Sequence, residues 1–206
     1  MIERSCMLVC VVDDDEAVRE SLRLLIETQG VEVRAYSTCH AFLSDPDSCR
    51  CACLVLDVRL PGGMSGLQLQ QRLQEKGGEP PIIFISGHAD VPMAVQAMRA
   101  GAVDFLQKPF PEQALLDRIE QALESYAERQ QRRIVKSTLE ARYAQLTARE
   151  KDVLECILKG DVNKQIGERL GISVKTVEQH RARVMEKMRA NSVAELVQSV
   201  ESLRRN

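Results

Sequence analysis

The sequence predicts two differently built parts: a doubly wound α/β sheet of five parallel strands, then an all-α part of four helices. Three observations carry this. Short apolar runs recur five times between residues 8 and 106, each followed by a helical pattern. Most of these runs are continuously apolar, as strands covered on both faces require. Beyond residue 142 the punctuation changes, and Thr, Asn, Ser and Gly mark off four short amphipathic helices.

Taken in order, residues 8–12 (L-V-C-V-V) form the first strand, and Asp13, Asp14, Asp15 and Glu16 follow it at once. A helix with Val18, Leu22, Leu25 and Ile26 on one face ends at Gly30. Residues 31–36 alternate as a second strand, a short helix covers about 38–44, and a loop runs to 52. Leu54, Val55 and Leu56 then lead into Asp57, and Pro61, Gly62 and Gly63 break the structure beyond it. Leu67, Leu69 and Leu73 mark a helix, 81–85 (P-I-I-F-I) a fourth strand ending at Ser86, and 91–100 a helix closed by Gly101. Val103 to Leu106 make the fifth strand, which ends at Lys108-Pro109-Phe110. The next helix places Leu115, Ile119, Ala122, Leu123 and Tyr126 inward, and the charged stretch 127–142 extends it as a helical linker.

Composition limits the function. The chain has 206 residues, 44% hydrophobic and 28% charged, the balance of an ordinary soluble protein. No apolar run approaches the ~18 residues of a membrane span. The start, M-I-E-R-S-C, lacks the basic segment and apolar core of a signal peptide, so the expected location is cytoplasmic and no membrane partner is expected. Seven cysteines are scattered, and C-R-C-A-C at 49–53 has only His40 near it in sequence, too few ligands for a metal centre. The net charge of −2 hides an asymmetry. Residues 1–127 carry 11 Lys and Arg against 19 Asp and Glu, whereas 128–206 carry 17 against 11. A basic second part points to a polyanion, of which nucleic acid is the common one.

In an open parallel sheet, ligands bind beyond the carboxyl ends of the strands. Here those ends carry Asp13 and Asp14, Asp57, Ser86 and Lys108. Three close carboxylates repel one another and call for a cation, and an all-oxygen set suits Mg²⁺, with Mn²⁺ as a substitute. Asp57 then attacks a phosphoryl group in line, while the metal and Lys108 neutralise its oxygens and Ser86 donates a hydrogen bond.

The motifs V-V-D-D-D, L-V-L-D-V-R-L-P, I-S-G-H and D-F-L-Q-K-P-F resemble the receiver domain of two-component response regulators, a flavodoxin-like fold. The run D-V-P-M-A-V-Q-A-M-R-A-G-A-V-D-F at 90–105 resembles the FixJ-like branch within the FixJ-like/NarL family. The resemblance implies Asp57 as phosphoacceptor, and Asp13, Asp14, Asp57 and the Arg59 backbone carbonyl as metal ligands. It implies Lys108 and Ser86 as phosphoryl contacts, Ser86 and Phe105 as a switch pair, and a cis bond before Pro109. Two departures stand out: the turn L-P-G-G-M-S-G is one residue longer than the usual pattern, and Phe105 stands where Tyr is common. His88 reads as a loop residue.

In the second part, Thr147 and Glu150 form a capping box, and Val153, Leu154, Ile157 and Leu158 make an apolar face ended by Gly160. Asn163 caps a second helix bearing Ile166 and Leu170 and ended by Gly171; Ser173 opens a third, with Val174, Val177, Val184 and Met188 inward. The fourth starts at Ser192 and carries Val193, Leu196, Val197 and Val200. Two short helices around a Gly turn, the second basic outside, form a helix-turn-helix. The segments L-T-A-R-E-K-D-V-L, N-K-Q-I-G-E-R-L-G-I-S and T-V-E-Q-H-R-A-R-V-M-E-K-M resemble the LuxR-type DNA-binding domain. That resemblance makes 173–188 the recognition helix, with Glu178, Gln179 and Ala182 at bases and Lys164, Lys175, Thr176, His180 and Arg181 near phosphates; Arg183 shares the outer face.

The expectation is therefore a receiver at 1–126, a helical linker at 127–142 and a DNA-binding domain at 143–206. Its implied partners are a sensor histidine kinase, a double-stranded operator with paired half-sites, a second copy on activation, and RNA polymerase. It assists its own phosphorylation and dephosphorylation without being a turnover enzyme. Two alternatives stay open on the residues. A phosphatase of the haloacid-dehalogenase type also attacks with a strand-end Asp but wants a second Asp where Arg59 stands, and a thiol-controlled regulator would act through Cys49, Cys51 and Cys53.

Overall fold

The structure, a computed structural model, describes residues 7–61, 63–75, 80–87 and 91–204. Five parallel strands, β1 (Leu8–Val12), β2 (Glu32–Tyr36), β3 (Cys51–Asp57), β4 (Ile82–Ser86) and β5 (Asp104–Gln107), lie in the order β2-β1-β3-β4-β5. The chain steps outward from β1 to β2, then returns past β1 to β3, so the direction of winding reverses between β1 and β3. That crevice is where an open sheet leaves room for a ligand. In register, Val12 pairs with Leu56 and Asp57 with Ile85, so the strands bring their carboxyl ends to one rim.

Alternation of side chains fills both faces. Val9, Val11, Cys53, Val55, Ile83 and Ile85 pack with Leu22 and Ile26 of α1 (Glu16–Glu27) and with Leu115 and Ile119 of α5 (Glu112–Ala144). On the other face Leu8, Cys10, Val12, Leu54, Leu56 and Phe84 meet Phe42 of α2 (Cys39–Ser44), Leu69 of α3 (Gly66–Glu75) and Ala97 of α4 (Val91–Arg99). The central strands β1, β3 and β4 are buried throughout, as their unbroken apolar runs require, while the edge strands β2 and β5 are partly open. Charge covers the β2 edge: Arg34 pairs with Asp45 at 3.1 Å, Asp47 at 2.7 Å and Glu32 at 3.3 Å. The expected loop to residue 52 is shorter. Pro46–Arg50 forms a 3-10 turn, capped by Asp45, and β3 begins at Cys51.

By internal contacts the chain divides into Met1–Gln130 and Gln131–Asn206, and the stretch 127–142 lies wholly within α5. The second unit contains α6 (Ala148–Leu158), α7 (Asn163–Leu170), α8 (Val174–Met188) and α9 (Val193–Arg204). Leu154, Ile157, Ile166, Val177, Val184, Leu196 and Val200 make its core. The α7–α8 turn is tight: Gly171 has φ 65°, and a Cβ on Gly167 would stand 2.8 Å from the Ile172 carbonyl oxygen. Three helix starts differ from the sequence reading. Asn163 lies inside α7, where the Gln165 side chain accepts a 2.9 Å bond from the Val162 amide and closes the N-terminus from within. Val174 is 45% exposed, because Ile172 in the preceding turn supplies the apolar contact and the inward stripe of α8 begins only at Val177. Val193, at the start of α9, is likewise exposed.

The expected capping box at Thr147 and Glu150 is present, with bonds of 3.3 Å and 2.8 Å. Glu150, itself buried, also accepts from half-buried Lys187 Nζ at 2.6 Å, tying the start of α6 to the end of α8. The Lys187 bond is the main reason the Glu150 carboxyl sits below its ordinary value. A depressed carboxyl stabilises the fold above its unfolded value near 4.5 and loses that contribution as pH falls through the folded one. Glu150→Gln should therefore cost roughly 1–3 kcal/mol at neutral pH. Urea unfolding of the two proteins should show this difference shrinking as pH drops below the ordinary glutamate range.

Candidate functional site

At the sheet rim, Lys108 follows β5 and reaches back across it, placing Nζ 2.5 Å from Asp13 Oδ2 and 2.8 Å from Asp57 Oδ2. Asp13 leaves the end of β1 fully buried, Asp57 ends β3 nearly buried, and Asp14 is exposed beside them. Oxygens of these three carboxylates lie within 4.8 Å of one another. Backbone donors set the remaining lone pairs: the Asp15 amide bonds Asp13 Oδ1 at 3.0 Å, and the Arg59 amide bonds Asp57 Oδ1 at 2.9 Å. Burial raises the Asp13 carboxyl above its usual range, against the lowering effect of Lys108 and the Asp15 amide. For Lys108 burial works against the charge, and the bonds to Asp13 and Asp57 more than offset it, so its ammonium is held more firmly than usual.

Ser86 ends β4, is buried, and its carbonyl accepts from the Lys108 amide at 2.8 Å. Phe105 on β5 is half-buried and packs against Phe84, ring centroids 6.2 Å apart. The Lys108-Pro109 bond is cis. His88 lies outside the described residues. The donor set fits a hard divalent cation: oxygens alone, three negative charges, one side open through Asp14. The thiol reading finds less support. Cys51 and Cys53 are buried, and burial holds both thiols far above their ordinary value, where little thiolate forms. Cys49 is exposed, with Sγ donating to the Pro46 carbonyl at 3.0 Å.

On the second unit, Lys175, Glu178, Gln179, Ala182 and Arg183 project from the outer face of α8, with Thr176, His180 and Arg181 partly covered; Lys164 is exposed on α7. Ser173 Oγ accepts from the Thr176 amide at 3.1 Å and caps the helix, which orients its first turn.

Comparison with known proteins agrees with this geometry. Residues 9–120 match the response regulator receiver domain and 144–200 the luxR family of bacterial regulatory proteins. The chain belongs to the response-regulator family. Among its relatives, the response regulator protein TmoT of Ectopseudomonas mendocina is 46% identical over 197 residues, covering 96% of this chain and 89% of the relative. The transcriptional regulatory protein FixJ of Azorhizobium caulinodans is 45% identical, covering 92% and 89%. A solved structure of the response regulator StyR superposes with a TM-score of 0.86 at 47% identity, over 94% of this chain and 98% of that one. Full-length FixJ from B. japonicum gives 0.56 at 39% identity, over 96% and 97%. This response regulator thus joins a receiver domain to a LuxR-type DNA-binding domain and acts in transcriptional regulation.

Some residues around the receiver site carry no signal that sequence reasoning used. Arg19 of α1 donates to the Asp13 and Asp14 carbonyls, each at 2.8 Å. Gly66 opens α3 directly behind Asp57, and a Cβ there would stand 2.4 Å from the Asp57 carbonyl oxygen and 3.1 Å from both Leu56 and Phe84. The M-S-G triplet held a signal for the second, since a glycine opening a helix beside a buried strand implies close approach. Gly66→Ala should lower stability by about 1–3 kcal/mol through overpacking. A thermal midpoint equal to that of the parent protein would show that the strand end and α3 are not locked together.

Proposed function

We propose that Asp57 is the phosphoacceptor of a Mg²⁺-dependent switch, charged by a sensor histidine kinase, that controls dimerisation and operator binding. The observation that carries this is Lys108 Nζ bridging Asp13 and Asp57 at the receiver rim, with Asp14 alongside. Asp13, Asp14, Asp57 and the Arg59 carbonyl would hold the metal, and Mn²⁺ would substitute. When bound, the ion neutralises phosphoryl oxygens. An Asp57 carboxylate oxygen attacks phosphorus in line; the P–N bond to the donor imidazole breaks, and its electron pair returns to the ring nitrogen, which takes a proton. Lys108 keeps its charge through the step and moves from the carboxylates toward the new phosphoryl group. The Ser86 hydroxyl donates to that group, and Phe105 repacks against Phe84. The same site, with water as nucleophile, assists dephosphorylation, so the protein passes phosphate on as a signal without turnover of a substrate.

The receiver occupies 1–126 and the LuxR-type domain 143–206 in this reading, with 127–142 as helical linker. Glu178, Gln179 and Ala182 of α8 face bases, while Lys164 of α7 and Lys175, Thr176, His180, Arg181 and Arg183 of α8 meet or flank phosphates. A symmetric pair reads two half-sites and engages RNA polymerase. Among the described residues, no helix is long and apolar enough to cross a membrane, and a cytoplasmic place suits a kinase and DNA as partners.

Asp57→Asn should abolish uptake from radiolabelled acetyl phosphate plus Mg²⁺ while the parent protein labels. Full-yield labelling of the variant would remove Asp57 from the mechanism. On an operator selected from random DNA, Gln179→Ala should weaken specific binding by about 1–3 kcal/mol and relax one base position. Lys175→Ala should weaken all sequences alike and reduce the salt slope by about one.

A further inference from the structure

The Asp13 and Asp14 carbonyls precede the first turn of α1, so no helical amide reaches back to them. The two hydrogens of Arg19 Nη1 serve them, with both bonds 2.8 Å long. One planar, rigid donor group from the second turn of α1 thus spans two consecutive peptide units. Just beyond, Asp15 caps the helix by accepting from the Ala17 and Val18 amides at 2.8 Å and 3.3 Å, and its own amide holds Asp13 Oδ1 at 3.0 Å. The segment between β1 and α1 is thereby fixed from both sides. We infer that Arg19 is a positioning residue for the divalent cation: by pinning the Asp13 and Asp14 peptides it aims their carboxylates at the site shared with Asp57. This rests on the metal-site reading proposed above.

Charge and positioning predict opposite signs here. As a cation beside an acidic site, Arg19 repels a second cation, and its removal would tighten metal binding if charge alone mattered. As a positioning group, its removal lets the two peptides turn toward water, and the carboxylates must be reordered when the ion binds. Outer-sphere groups that orient ligands typically govern ~10–100-fold in metal affinity.

The test is a Mn²⁺ titration of the unphosphorylated full-length protein, read from the electron paramagnetic resonance of the free ion and repeated with Mg²⁺ as competitor. The parent protein, Asp14→Asn, Arg19→Met and Arg19→Gln are compared. Arg19→Met should bind roughly tenfold more weakly than the parent, with its circular dichroism unchanged. Arg19→Gln, able to serve one carbonyl, should fall between them, and it decides the matter if the Met variant does not fold. Equal or tighter binding by the folded Arg19 variants overturns the positioning role while leaving the metal site intact. A parent protein that binds no more Mn²⁺ than Asp14→Asn overturns the metal site itself, and the role of Arg19 with it.

Discussion

Everything at the receiver rim depends on one ammonium group lying between two carboxylates. Asp13 and Asp57 come from different strands, and their oxygens converge with those of Asp14 inside 4.8 Å. Left alone, such a cluster would repel itself, and burial by itself already raises the Asp13 carboxyl. Lys108 relieves this at 2.5 Å and 2.8 Å. The bridge is costly to build, since burial disfavours all three charged groups, and it holds because each is also met by a hydrogen bond of good length. A lysine is suited to this place: a point charge on a flexible stem can follow charge as it moves, where a guanidinium fork would fix one geometry.

The sheet makes the cluster possible. Residues 13, 57 and 108 are far apart in sequence, and parallel strands joined by helices bring their ends together on one side. Close packing then removes slack. Gly66 allows α3 to start against the Asp57 carbonyl, and the Gly66 amide bonds the Val58 carbonyl at 3.0 Å. From α3, buried Gln70 donates to the Ala97 and Ala100 carbonyls at 3.2 Å and 2.9 Å, adding to the Ala102 amide at Ala97 and sharing Ala100 with Gln74. The floor under Asp57 is therefore held both by contact and by directed polar bonds.

What could be read from sequence divides along a physical line. The three central strands were legible because buried parallel strands are continuously apolar, β2 because its residues alternate, and Asp57 because a carboxylate ending an apolar run is conspicuous. Leu22, Ile26, Leu115 and Ile119 all lie in the core where helical periodicity puts them. Gln70 was illegible: within L-Q-L-Q-Q-R it looks like the solvated side of α3, and its partners are carbonyls 27 and 30 residues away. Arg19 was hidden for a similar reason, because backbone acceptors have no sequence signature. Val174 shows a different failure. Spacing alone extended the apolar stripe of α8 one turn too far, while the apolar contact came from Ile172 outside the helix.

Phe105 constrains how the proposed switch can transmit. A tyrosine at this place could report a moved Ser86 by exchanging one hydrogen bond for another. Phenylalanine has no such partner to exchange, so only volume and ring contact remain. The ring lies half-buried, 6.2 Å from Phe84 in a tilted arrangement, on the same core face as Met93 and Ala97. Interiors pack too densely to deform by small degrees, so a ring that turns inward must displace a neighbour. The neighbour able to respond is α4, since Phe84 is held in a central strand and α4 has Ala97 as its one fully buried residue, with Met93 packed partly against the core. On this reading Gln70 and Gln74 set the resistance together, because their bonds to the end of α4 stretch or survive according to how far that helix shifts.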